Sequence, residues 1–202
     1  MTQTITRLYD SYDQALAAVR ALKDAGFADR EISLVASTAT AYGKEVESPA
    51  AEDAAEGAGI GGVVGAAAGL LAGLGILAIP GIGPVVAAGW LASTVAVGAA
   101  GAVAGGATGG IIGSLTSSGV PESEAHVYAE SVRRGDTLLT VRVSDDREIE
   151  ATRILSRFPN VSSASRAEEY REAGWNRFDE TADPYLPAPD VLPPNSHRNP
   201  PL

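Results

Sequence analysis

The chain has 202 residues, a formal net charge of −10 and lysine only at Lys23 and Lys44, which argues against nucleic acid or an anionic lipid surface bound through a basic patch. It contains no cysteine, so disulfides and thiolate chemistry are excluded. The first residues lack the charged and then apolar regions of a signal peptide, so the expected location is the cytoplasm or the cytoplasmic membrane facing it.

Residues 4–9 place Ile5, Leu8 and Tyr9 among polar neighbours and predict a short strand. Ser11 with Gln14 three positions on is a capping-box pattern. It opens a helix whose apolar face is Leu16, Val19 and Leu22. Gly26 fits the position just beyond that helix, with Phe27 folding back as its hydrophobic contact. A second strand follows at residues 31–36, with Ile32 and Leu34 on one face. Residues 1–36 are therefore read as a β-α-β half. Residues 37–56 have no period, carry Ser48-Pro49, and read as a linker.

No charged side chain occurs between Glu56 and Glu122. Within that window glycine recurs every fourth residue at Gly57, Gly61, Gly65, Gly69 and Gly73. A second ladder holds Gly89, Ser93, Gly101, Gly105, Gly109, Gly113 and Ser117. Residues four apart share a helix face, so each ladder would be a strip along which another backbone approaches closely, a glycine zipper. Each interior Gly costs about 1 kcal/mol against Ala, and that loss must be offset by helix-to-helix packing or by a hydrocarbon solvent. Pro80-Gly81-Ile82-Gly83-Pro84 separates the ladders. Residues 57–120 are thus expected to form a helical hairpin, 57–79 antiparallel to 85–117. At 1.5 Å per residue its helices would measure about 34 Å and about 50 Å, against a hydrocarbon core of about 30 Å. Trp90, near the turn, is a candidate for the far interface of a bilayer.

Pro121-Glu122-Ser123-Glu124 starts a helix with proline and acids in its first turn, which runs to about Arg134 and ends at Gly135. Residues 137–143 alternate Leu139, Val141 and Val143 with Thr140 and Arg142, the clearest strand in the chain. Ser144-Asp145-Asp146 then caps a helix bearing Ile149, Ile154, Leu155 and Phe158, and residues 160–167 read as a weak last strand. Thr6-Arg7-Leu8 before Ala17-Ala18-Val19 resembles Val141-Arg142-Val143 before Ala151-Thr152-Arg153-Ile154, so residues 121–167 read as an extra helix and a second β-α-β half. The expected fold is α+β: a ferredoxin-like sandwich of two β-α-β halves, with helices on one face, interrupted by the glycine-zipper hairpin. Residues 168–202 are polar and then proline-rich, and predict a mostly disordered tail.

No chemistry stands out. Gly57-Ala58-Gly59-Ile60-Gly61-Gly62 fits G-x-G-x-x-G, but acidic residues precede it where a buried strand should stand, and a glycine-rich window produces the pattern by chance. His126 and His197 read as lone surface histidines, and Glu122, Glu124 and Glu130 as a solvated helix face. No catalytic residue, metal site or cofactor is assigned, and no enzyme is expected. Trp175, Phe178 and Tyr185 concentrate aromatics in the polar tail, either packing back on the domain or forming a short docking motif.

Several of these segments together resemble a bacterial family of general stress proteins, including heat- or low-temperature-induced members. They are the N-terminal unit with Leu22-Lys23-Asp24-Ala25-Gly26-Phe27, the segment Ala78-Ile79-Pro80-Gly81-Ile82-Gly83-Pro84-Val85, then Gly119-Val120-Pro121-Glu122, and the strand Arg134-Gly135-Asp136-Thr137-Leu138-Leu139-Thr140-Val141. The resemblance covers residues 4–167 and implies stress induction and membrane association, with no established reaction. The first expectation is a non-enzymatic stress-response protein held at the membrane by its hairpin, with the ferredoxin-like domain docking in the cytoplasm. The alternatives are a soluble homo-oligomer whose hairpins zip together and a regulator that binds a small ligand between the β-α-β halves. The expected partners are further copies of the chain and the membrane.

Overall fold

The N-terminal unit forms as its sequence predicts. In the computed structural model, which describes residues 2–42, 75–79, 81–94, 110–182 and 185, strand β1 spans Thr2–Tyr9, helix α1 Tyr12–Asp24 and strand β2 Ile32–Ser37. Ser11 caps α1 by accepting the Gln14 N–H at 3.3 Å. The reciprocal half of the capping box is missing, since Gln14 Oε1 is buried without a partner among the described residues. Gly26 adopts φ +83°. The following Phe27 N–H donates to the Leu22 carbonyl at 3.0 Å, closing the helix end and burying the Phe27 ring. The linker begins with a short helix α2, Thr38–Tyr42, because Ser37 Oγ accepts the Thr40 N–H and Thr40 Oγ1 donates to the Gly135 carbonyl at 2.9 Å.

The helical hairpin is corrected at its centre. Gly75–Ile79 is strand β3 and Gly83–Gly89 is strand β4, so neither the end of the first expected helix nor the start of the second is helical. Ile79 pairs with Gly83, the Ile82 N–H donates to the Ile79 carbonyl at 3.0 Å, and Gly81 takes φ +75°. Gly81 and Ile82 thus lie in the turn of a β-hairpin, where two helices were expected to separate. The remaining ladder positions Gly57, Gly61, Gly65, Gly69, Gly73, Gly101, Gly105 and Gly109 lie outside the described residues.

A helical turn at residues 90–94 follows β4. Helix α3 spans Ile111–Thr116, helix α4 Glu122–Arg134 and strand β5 Thr137–Ser144. After a 3-10 turn at Asp145–Arg147 come helix α5, Glu148–Leu155, and helix α6, Ser163–Glu172. Gly135 ends α4 at φ +110°, as expected.

The five strands make one antiparallel sheet in the order β1-β5-β2-β4-β3. Strand β5 therefore inserts between β1 and β2, the two strands joined by α1. The weak last strand shrinks to a single bridge between Leu8 and Val161, on the free edge of β1. Ser162 then caps α6 by accepting the Ala164 N–H, and the chain turns helical. Ile149, assigned above to an apolar helix face, is 72% exposed.

Helices cover both faces of the sheet, against the expectation of one. On one face α1 and α5 bury Ile5, Ile32, Leu34, Leu139 and Val141 beneath Leu16, Val19, Leu22 and Leu155. On the other, α3, α4 and the 90–94 turn cover Leu8, Val35, Val85, Ala87 and Leu138. Two covered faces explain why β2 and the centre of β5 are buried at successive positions. The internal repeat holds at the level of strand then helix and fails in register. Leu8 lies in one core and its apparent counterpart Val143 in the other, because a one-residue offset reverses the face of a strand.

Candidate functional site

Two features bear on function: the open end of the β3-β4 hairpin, and a C-terminal strap that closes over α4. At the first, Gly75 pairs with Ala87, so the chain enters β3 and leaves β4 at the same end of the hairpin.

That end is tied down by Ser33. Its hydroxyl donates to the Ala88 carbonyl at 2.6 Å and accepts the Leu91 N–H at 3.2 Å. Gly89, expected on a helix-packing face, is instead the last residue of β4 at φ +81°. A Cβ there would collide with the Ile32 carbonyl oxygen, so glycine is set by close backbone approach within the sheet. Trp90 is buried, with the Arg142 guanidinium 3.5 Å from its ring centroid, and so belongs to the core of this domain. Gly113 lies on α3, where Ile111, Ile112 and Leu115 are buried while Gly113 is half-buried and Ser117 exposed. The ladder face of α3 is thus turned away from the core.

Residues 168–182 are ordered, which moves the start of the expected disordered tail beyond them; residues 183–184 and 186–202 lie outside the described residues. Helix α6 continues to Glu172, the Trp175 N–H donates to the Tyr170 carbonyl at 2.9 Å, and the Tyr170 and Trp175 rings meet edge to face at 5.8 Å. Phe178 enters the α3/α4 core at 5% exposure. A Cβ on Gly81 would stand 2.5 Å from the Asp179 carbonyl oxygen and 3.1 Å from Phe178 Cζ, so the strap rests on the hairpin tip. Trp175 and Phe178 therefore pack back on the domain. Tyr185 is the most exposed of the three, 5.6 Å from the Arg133 guanidinium and 5.5 Å from that of Arg134.

Helix α4 is covered on all sides along its middle, which corrects two surface assignments. Glu130 is 1% exposed and held by Arg133 at 2.9 Å and Arg134 at 2.6 Å, while Glu122 and Glu124 remain exposed. His126 is buried, and its Nε2 lies 3.6 Å from Glu122, beyond hydrogen-bond length. His197 lies outside the described residues.

A second network joins β5 to α6. Arg166 grips Asp136 with two hydrogen bonds of 2.8 Å and also reaches Asp10 and Glu169. Burial pushes the Asp136 carboxyl above its ordinary range; Arg166 lowers it, but divides its charge among three carboxylates. Burial likewise pushes Tyr9, Tyr128 and Tyr170 up to about 12. These groups are neutral or paired members of the fold, with no nucleophile–base arrangement among them. Among the described residues no group of three or more His, Asp and Glu side chains is placed to hold a metal ion.

The acidic and aromatic clusters were partly visible in the sequence, but their roles were not. Nothing in the spacing of Glu130 distinguishes it from Glu122 until α6 and the strap close over α4. Compared with family models, curated proteins and solved structures, the chain matches none.

Proposed function

We propose that this chain is a non-enzymatic stress-response protein, of the general stress family its motifs resemble, that works by self-association. Its core is a variant ferredoxin-like domain: β5 inserted between β1 and β2, with Val161 bridging the free edge of β1, follows the split β-α-β arrangement, and the β3-β4 hairpin extends it beyond β2. The observation that carries the functional reading is the common end of that hairpin. In sequence it is flanked on either side by the two uncharged glycine-ladder segments, which in this reading zip against the same segments of another copy.

The sheet also shortens what is available to a bilayer. Once β3, β4, the 90–94 turn and α3 are assigned to the domain, the uncharged stretches are residues 57–74 and 95–109. As helices they would reach about 27 Å and about 22 Å, short of the about 30 Å hydrocarbon core. No helix among the described residues is long and apolar enough to cross a membrane. The second reading, a hairpin lying on or in the membrane, is favoured by the absence of any charge between Glu56 and Glu122.

Light scattering on the wild type and on the Gly65→Leu, Gly105→Leu double variant tests the proposal, alongside carbonate-washed membrane fractions from the native cells. Self-association predicts a multimer of defined mass that falls to the monomer in the double variant, with circular dichroism unchanged. Retention of the wild type in the washed membrane selects the second reading. An unchanged mass in the double variant removes the ladders from the mechanism.

A further inference from the structure

Arg142 is a cation of the sheet held by an aromatic ring and a hydroxyl. It sits on β5 on the α3/α4 face, half-buried, with its guanidinium stacked on Trp90 and Nη2 donating to Ser118 Oγ at 3.1 Å. Arg133, Arg134, Arg147, Arg166 and Arg177 each face a carboxylate within 4 Å. Arg142 faces none among the described residues, and burial lowers its pKa with no anion to offset the cost. A stacked guanidinium keeps its edge free, and that edge matches a carboxylate in two parallel hydrogen bonds.

Its neighbours on the same sheet face are donors too. Thr140 is two residues back along β5, Thr6 is the cross-strand partner of Thr140, and Thr4 is the partner of Arg142 itself. Thr140 is fully buried and Thr6 is 8% exposed, yet Oγ1 of each has no hydrogen-bond partner among the described residues. The same holds for Trp90 Nε1, on the ring that carries the guanidinium. Native proteins rarely leave so many polar atoms unmatched in one patch. Access is provided at the rim, where Thr4, Arg142 and Ser118 are half-buried and a Cβ on Gly119 would meet nothing within 4 Å.

We propose that Arg142, with Thr4 and Ser118 at the rim, forms a binding site for a small organic carboxylate, gripped by the guanidinium edge and lying over the unmatched Thr140 and Thr6 hydroxyls. A monoanion fits better than a phosphate dianion, because one cation stands in a chain of net charge −10. The site is independent of whether the glycine ladders associate, so its test needs no oligomer.

The test is a titration of the full chain with acetate, benzoate and inorganic phosphate, followed by tryptophan fluorescence in a Trp175→Phe background so that Trp90 reports alone. A saturable change is expected with a carboxylate. Arg142→Met should weaken it about tenfold or more, the share of a charged hydrogen bond. Thr140→Val, which keeps the shape and removes the hydroxyl, should weaken it less. Circular dichroism establishes that each variant is folded, and if Arg142→Met fails to fold, Arg142→Lys takes its place, since it retains charge but loses the two-pronged grip. Saturable binding of phosphate alone overturns the ligand class. No saturable response to either carboxylate, or equal affinity in the wild type and both the Arg142 and Thr140 variants, overturns the site.

Discussion

Replacing Phe178 by Ala tests whether the C-terminal strap is part of the fold. Phe178 is 5% exposed among core residues of the α3/α4 face, and its ring edge approaches the hairpin tip at Gly81. Burying a phenylalanine side chain contributes about 1.5–3 kcal/mol. The cavity left by truncation raises the cost of Phe→Ala to about 3–5 kcal/mol where the surroundings cannot collapse. The strap lies at the edge of its core and can partly close, so the lower end applies, about 3 kcal/mol. With a urea dependence of about 2 kcal/mol per molar, the unfolding midpoint should fall by about 1.5 M. Urea unfolding followed by circular dichroism reads the midpoint, and limited proteolysis should show earlier cleavage after Arg171 and Arg177 in the variant. A shift equivalent to less than about 0.5 kcal/mol, the size of an ordinary surface substitution, would show that the strap does not hold the domain together.

Two further outcomes follow from backbone and proton chemistry. Gly89→Ala should cost about 2 kcal/mol or more, since a left-handed φ is combined with collision against the Ile32 carbonyl, whereas Gly26→Ala, at a similar φ with nothing within 4 Å, should cost about 1 kcal/mol. Equal losses for the two in urea would refute the close-approach account of Gly89. Alkaline unfolding should be steep. Tyr9, Tyr128 and Tyr170 are neutral in the fold up to about 12, so the unfolded chain releases their protons first, and stability present below pH 10 is lost between pH 10 and pH 12. Two pH units correspond to at most about 2.7 kcal/mol per tyrosine, less where solvent reaches the ring. Spectrophotometric titration at 295 nm of the wild type against Tyr9→Phe, Tyr128→Phe and Tyr170→Phe checks this among the chain's six tyrosines, and loss of a phenolate signal near pH 10 in any of these variants would contradict it.

Local signals carried the flanks of this protein. Ser11, Gly26-Phe27, Pro121 with its acids, Gly135 and the alternation of residues 137–143 each specify a backbone state through atoms a few residues away, and each element formed where these signals put it. The ladder spacing is a different kind of signal, because glycine every fourth residue is consistent with a helix face and equally with strand and turn positions that need no Cβ. Gly89 proved to be of the second kind, fixed by Ile32, which is remote in sequence. Tertiary structure alone decided that β5 enters between β1 and β2, that both sheet faces are covered, and that the strap closes over α4. Those outcomes depend on which buried surfaces meet, a sum over distant contacts that no local pattern contains. The same holds for the candidate carboxylate site. Arg142 reads in the sequence as the polar alternate of a strand, and only the closing of α3 and the 90–94 turn over that face makes it a half-buried cation with no carboxylate partner among the described residues.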